Sequence, residues 1–435
     1  MATPKKILVI AEACNPEWTS VPLVGWSHVE ALTRHDQLEV HLVTQIRNKE
    51  SIERFGWTEG TEFTSINSEA IIAPAYNLAK LLRGGAGKGW TMITALASLS
   101  YPYFEHLVWK KFGARIKAGE FDLVHRITPL TPTATSSLAK KCSKANVPFI
   151  VGPLNGGVPW PQGFDSARRD EKEWLSYVRG VYKFLPGYHS TRRFSSSIIV
   201  GSKATYEQVP DKYKSKCVYI PENAIDPLRF PELQEEKPIP SQEPLRAIFI
   251  GRLVPYKGVD MLLEAAAPLV KDGLMRIDIY GDGPERLKLE SIANSFKIND
   301  KAVFHGFISH DKLHEDISKA DVFTFPSIRE FGGGVVLEAM AVGVVPIVVD
   351  YAGPSELVTK DVGFKVSIGS RESIIRDFRE QLIRVVSDRS VLHQLQANGK
   401  NRIANLFTWD AKADQVYKVY QWILGESLSK PNFDF

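Results

Sequence analysis

Short apolar runs alternate with helix-patterned stretches along the chain, and that alternation restricts the fold more than any other feature. Ile7–Ile10 is followed by a helical stretch from Ser27 to Arg34 and then by Leu38–Thr44. Phe121–Pro129, Phe149–Gly157, Ser196–Ser202 and Cys217–Pro221 read as further strands. After a break the pattern restarts: strand Ala247–Ile250, helix Asp260–Val270, strand Arg276–Tyr280. A βαβ rhythm of this kind implies parallel sheets covered by helices on both faces. Ligands of such sheets sit beyond the carboxyl ends of the strands. The break, Asp226–Leu245, carries Pro227, Pro231, Pro238, Pro240, Pro244 and Glu235-Glu236 and reads as a linker. With 435 residues, two or three domains are expected. The boundaries drawn are an N-terminal domain over 1–226, a linker over 227–245, a C-terminal domain over 246–408 and a closing helical segment over 409–435.

The charge balance is mild. A net charge of +4 is too small to imply nucleic acid, but it suits anionic ligands or an acidic membrane surface. The three cysteines, Cys14, Cys142 and Cys217, lie far apart with no C-x-x-C or Cys/His spacing. Neither a disulfide framework nor zinc is expected, and a reducing compartment is. The first apolar run is too short for a signal-peptide core, so a cytoplasmic protein is expected. The longest apolar stretch, Gly332–Val349, contains Glu338 and Pro346 and reads as a βα unit instead of a membrane span. Basic and aromatic residues interleave over 76–117 and 177–194. They fit peripheral docking on the inner face of a membrane, or ordinary amphipathic helices whose lysines snorkel out from a core.

Four stretches carry chemistry. In Ser327–Ala341, Glu330 and Glu338 are separated by seven residues, with Gly332-Gly333-Gly334 between them and a helix-forming run from Val335 onward. Glycines before a helix let a ligand approach the backbone, and the free N–H groups there face an anion. The layout fits a phosphate flanked by hydroxyl-rich groups; a glycine-softened turn with two ordinary glutamates is the alternative. Gly251–Gly258 follows a strand and precedes a helix, with Arg252 to fork onto a phosphate and Lys257 to add a point charge. Gly25-Trp26-Ser27 opens a helix and either meets a phosphate or sugar, or is a plain cap at Ser27 over a core Trp26. His125 ends a strand, where it either bonds a sugar hydroxyl or is a satisfied structural group. Gly281-Asp282-Gly283 lacks the third glycine of a dinucleotide fingerprint and is discounted as a cofactor signal.

Taken in order, Gly251-Arg252-Leu253 with Lys257-Gly258, Tyr280–Pro284, and Pro326-Ser327 followed by Glu330 and Glu338-Ala339-Met340-Ala341 resemble the retaining glycosyltransferases of family 4. The resemblance implies the GT-B architecture, two Rossmann-like doubly wound domains facing a central cleft, with the closing helix crossing back to an acceptor-binding N-terminal domain. It implies hexose transfer, best read as glucose, from a UDP-sugar to a carbohydrate or lipid-linked acceptor in polysaccharide biosynthesis. Arg252 and Lys257 would grip the diphosphate, Glu338 the ribose, and Glu330 the donor sugar. The backbone of Gly332, Gly333, Gly334 and Val335 would lie close to sugar and phosphate, and Phe307 and Ile308 near the base. No metal cofactor is expected. The alternatives are a GT-B epimerase and a non-catalytic nucleotide-sugar-binding subunit. The N-terminal double glycine of the family is reduced to Gly25-Trp26, and the strand ending His125-Arg126-Ile127-Thr128 departs from the family's paired histidines.

Overall fold

The structure, a computed structural model, describes residues 3–69, 90–165, 181–230, 243–308 and 310–435. Most of the expected linker, and the stretches 76–89 and 177–180 of the basic–aromatic segments, lie outside the described residues. The chain divides into two compact units.

The first unit comprises Met1–Gly157, Glu173–Glu222 and Trp409–Asp434. Its seven strands are β1 (Lys5–Ala11), β2 (Leu38–Gln45), β3 (Phe63–Ile66), β4 (Leu123–Thr128), β5 (Phe149–Leu154), β6 (Ser197–Val200) and β7 (Cys217–Tyr219). They form one parallel sheet in the order β3-β2-β1-β4-β5-β6-β7. The second unit comprises Val158–Lys172 and Asn223–Thr408, with Phe435. Its strands are β8 (Leu245–Ile250), β9 (Met275–Tyr280), β10 (Ala302–Gly306), β11 (Val322–Phe325), β12 (Val345–Asp350) and β13 (Phe364–Ser367). They pair in parallel in the order β10-β9-β8-β11-β12-β13. Each sheet is doubly wound, with the direction of strand order reversing beside its first strand. Central strands such as Ile7–Ala11 and Ala247–Ile250 are buried on both faces, which is why they read as unbroken apolar runs.

The closing helix, Trp409–Ile423, packs in the first unit on the helix Val21–Arg34. Among the described residues no helix is long and apolar enough to cross a membrane. Gly332–Val349 is the expected βα unit: a helix over Gly334–Ala341 leading into β12. The first helix differs from expectation. It runs from Val21, with Pro22 in its first turn, and not from Ser27. Proline is preorganised for that position.

Candidate functional site

In the second unit, β8 and β11 are neighbours at the point where the strand order reverses. The loops leaving their carboxyl ends are Gly251–Gly258 and Pro326–Gly333, the two stretches singled out in the sequence. They lie against each other. The Ile328 N–H donates to the Tyr256 carbonyl at 3.0 Å, and Ser327 Oγ donates to the same oxygen at 3.3 Å. A Cβ on Gly258 would lie 2.5 Å from the Pro326 carbonyl oxygen, and its φ of 71° is left-handed, so glycine is required twice over. This close approach brings Lys257 and Glu330 together: Lys257 Nζ donates to Glu330 Oε2 in an ion pair. The two side chains are only 13% and 20% exposed, and the ammonium also sits 4.8 Å from the ring centroid of Phe325. Partial burial lowers the local dielectric, so each charge acts more strongly on a ligand than it would in open water.

Behind Glu330 the chain turns into the helix Gly334–Ala341 through Gly333, whose φ is 59°. Gly333 is buried, whereas Gly332, Gly334 and Val335 are half-buried. The N–H groups of Gly334 and Val335 belong to the first turn and have no intrahelical acceptor, which is the arrangement an anion uses. Glu338 is half-buried one turn into the helix, closer to its start than the two turns expected. The Gly353 N–H donates to the Glu330 carbonyl at 3.2 Å and holds the loop from the other side.

Arg252 is exposed on the first loop. The N–H groups on either side of it are fixed: Gly251 to the Tyr280 carbonyl and Leu253 to the Asp282 carbonyl, both at 3.0 Å. A Cβ on Gly281 would lie 1.9 Å from the Gly251 oxygen, and one on Gly283 2.3 Å from the Leu253 oxygen. The glycines that look like a dinucleotide fragment therefore serve to let the Arg252 loop approach. Phe307, 86% exposed, and Ile308, packed on the core, follow β10 at the same end of the sheet but outside this cluster.

Two expected residues of the first unit turn out differently. His125 is fully buried, with Nε2 donating to the Gly152 carbonyl at 2.8 Å and Nδ1 accepting from the Tyr420 hydroxyl at 2.7 Å. Both ring nitrogens are occupied, none is left for a sugar hydroxyl, and burial lowers the pKa to about 4. Gly25 is buried in the second turn of its helix, past the free N–H groups that a phosphate would need. Its Cβ would lie 2.2 Å from the Ala13 carbonyl oxygen, so close packing of helix on loop accounts for the glycine. Trp26 is a core residue, 5% exposed.

The sequence reading missed Arg329, Trp160 and Tyr256. The first is 5% exposed between the rings of Trp160, Phe331 and Tyr256. The available signal was adjacency, since Arg329 precedes Glu330 and Tyr256 precedes Lys257.

Comparison with known proteins bears on the domain and the fold. Residues 230–402 match the family described as Glycosyl transferases group 1. The chain is 26% identical over 345 residues to an uncharacterized glycosyltransferase of Methanocaldococcus jannaschii, covering 74% of this chain and 82% of that one. It is 25% identical over 250 residues to an alpha-D-kanosaminyltransferase of Streptomyces kanamyceticus, covering 54% of this chain and 62% of the relative. Among solved structures, a glycosyltransferase from Rickettsia africae superposes with a TM-score of 0.61 at 15% identity, covering 98% of this chain and all of that one. Anabaena HepE in complex with UDP and glucose superposes with a TM-score of 0.57 at 15% identity, covering 95% and 99% of the two chains. The chain thus has the GT-B fold, and its match to the group 1 glycosyltransferase family falls within the second unit.

Proposed function

We propose that this glycosyltransferase moves a hexose, glucose in the first instance, from a UDP-sugar to a carbohydrate or lipid-linked acceptor with retention of configuration, in polysaccharide biosynthesis. The observation that carries this reading is the Lys257–Glu330 pair beside the amino end of the helix Gly334–Ala341. When the C1–O bond to the diphosphate breaks, negative charge grows on the departing oxygen. Lys257, Arg252 and the first-turn N–H groups stabilise that charge without a metal. Glu330 holds donor-sugar hydroxyls and Glu338 the ribose. The acceptor oxygen forms the new bond to C1 on the face that the diphosphate leaves, and its proton passes to the diphosphate. The first unit binds the acceptor, and Phe307 and Ile308 lie near the base.

UDP as the leaving group is supported by the HepE complexes, and glucose by the two that contain glucose or UDP-glucose. A relative named as a GDP-mannose-dependent alpha-mannosyltransferase makes the base worth testing directly. Residues 1–222 hold 28 Lys and Arg against 20 Asp and Glu, which favours a cytoplasmic enzyme resting peripherally on an acidic membrane face. Co-sedimentation with anionic but not with neutral vesicles is the result expected for that contact.

The deciding experiment incubates the enzyme with UDP-glucose, UDP-galactose, UDP-N-acetylglucosamine and GDP-mannose, each with and without acceptor oligosaccharides, in excess EDTA. Acceptor-dependent UDP release from UDP-glucose, with a retained anomeric configuration by NMR, is expected. Release of GDP alone, an epimerised donor, or a strict need for manganese would each refute part of the reading.

A further inference from the structure

Glu330 is held between two neighbours that are themselves locked together. The Arg329 guanidinium carbon lies 5.4 Å from the Phe331 ring centroid, 5.0 Å from that of Trp160 and 5.9 Å from that of Tyr256. Trp160 and Tyr256 meet edge to face, with centroids 6.0 Å apart at 86°. Residues adjacent in sequence to both members of the Lys257–Glu330 pair therefore share one aromatic box around a buried arginine. The last wall is a short arm, Val158–Trp160, which belongs to the second unit although the chain reaches it directly after β5. Arg329 Nε donates to the Val158 carbonyl at 3.2 Å, and the Tyr351 hydroxyl donates to the Pro159 carbonyl at 3.0 Å. Val158 is 1% exposed, and Phe164, further along the arm, is part of the second unit's core.

A planar guanidinium can stack on rings and donate from Nε at the same time; an ammonium does neither in a fixed direction. The arrangement thus fixes the direction in which the backbone at residue 330 presents its carboxylate, while leaving that carboxylate to Lys257. We propose that Arg329 is a positioning residue: clamped between the Val158–Trp160 arm and the rings of Tyr256 and Phe331, it aims Glu330 at the donor sugar. The proposal rests on the assignment of Glu330 to sugar hydroxyls made above. It adds that part of the donor site's precision comes from an arm contributed by the first half of the sequence.

The test is a double-mutant cycle on the full chain with Arg329→Lys and Glu330→Gln, reading kcat, donor KM, UDP affinity by calorimetry and Tm. UDP lacks the sugar, so Arg329→Lys should bind UDP within about threefold of wild type. Its kcat should fall about 10- to 100-fold, because an ångström of misplacement can cost on the order of 10²-fold. Adding Arg329→Lys to Glu330→Gln should cost little more, because a positioning residue has nothing left to position. Trp160→Phe, which keeps an aromatic face, should stay close to wild type, whereas Trp160→Leu should behave like Arg329→Lys. If Arg329→Lys does not fold, the cycle is run with Trp160→Leu. Wild-type kcat in Arg329→Lys, fully additive losses in the double variant, or UDP affinity falling in step with kcat would overturn the proposal. An active Glu330→Gln would instead overturn the assignment of Glu330 itself, which leaves the two failures distinguishable.

Discussion

The two units share a topology and use its reversal point in opposite ways. In the second unit the loops after β8 and β11 leave an ammonium, a carboxylate and a helix start partly open to solvent. In the first unit the corresponding loops after β1 and β4 are closed on themselves. Thr128 Oγ1 accepts from the Ala13 N–H at 3.0 Å, Gly25 presses on the Ala13 carbonyl, and His125 is bonded to Gly152 and Tyr420. The same residue types that look like ligand contacts thus have two fates. His125 is fully buried and its bonding capacity is taken up internally, in keeping with the cost of about 1–3 kcal/mol for a buried group left unsatisfied. Lys257 and Glu330 stay partly exposed, and their remaining capacity is available to a ligand.

The contrast is broken or sharpened most directly by Lys257→Ala. The residue contributes little to the core, so the variant should keep its Tm within a few degrees while kcat falls about 10²- to 10³-fold, the cost of losing one preorganised charge-stabilising donor. His125→Gln should show the opposite pattern, a lowered Tm with near-normal kcat per folded molecule. Steady-state kinetics and thermal melts on both variants decide it, and a Lys257→Ala variant that loses stability without a turnover defect would erase the distinction between the units.

Next in size is Gly281→Ala. Its φ of 134° and the 1.9 Å approach of its would-be Cβ to the Gly251 oxygen allow no relief by side-chain rotation. A loss of about 3 kcal/mol is expected from backbone strain and displacement of the loop. Because that loop carries Arg252, UDP affinity should weaken as well. Chemical denaturation and calorimetry check the two effects, and a Gly281→Ala protein with wild-type values for both would show that the glycine does not hold the loop.

The sequence made these loops legible because a parallel sheet writes itself plainly at its centre. β1, β8 and β11 are mostly apolar, β4 opens on Leu123-Val124, and all four lead into glycine, proline or polar residues. The edge strands β3, β10 and β13 were not read. Ala302–Gly306 alternates buried with exposed positions, and Phe63–Ile66 mixes Thr and Ser with apolar residues, so neither stands out as a run. The Lys257 and Glu330 loops could be placed from strand, glycine and helix order alone. Their mutual contact could not, because Lys257 and Glu330 are 73 positions apart and meet only through the pairing of β8 with β11. Arg329 was illegible for a related reason: its box is completed by Trp160, which no local pattern joins to the second unit. His125 and Gly25 carried a true signal of special environment, but residue type alone does not tell a buried, satisfied environment from an open one.

The smallest expected effect tests that distinction through pH. His125 has its pKa lowered to about 4, first by desolvation and then by the nearby Arg126 charge, against an unfolded value of 6.5. His28, buried with its ring centroid 6.0 Å from that of His125, is also held well below its ordinary value by desolvation, with His125 and Lys412 adding to the effect. A lowered histidine binds its proton in the unfolded chain before it does so in the folded one. Stability from this group is therefore full above pH 6.5 and is lost as the pH falls toward 4. For His125 alone the loss between pH 7 and pH 5 is about 2 kcal/mol, because each tenfold difference in proton affinity between the folded and unfolded chain is worth about 1.4 kcal/mol. The His125→Gln variant, although weaker at pH 7, should show a flatter acid limb than wild type in urea titrations across that range. An acid limb unchanged by the substitution would mean that the ring is open to protonation in the folded protein, and with it to a ligand, which would make the two reversal points alike after all.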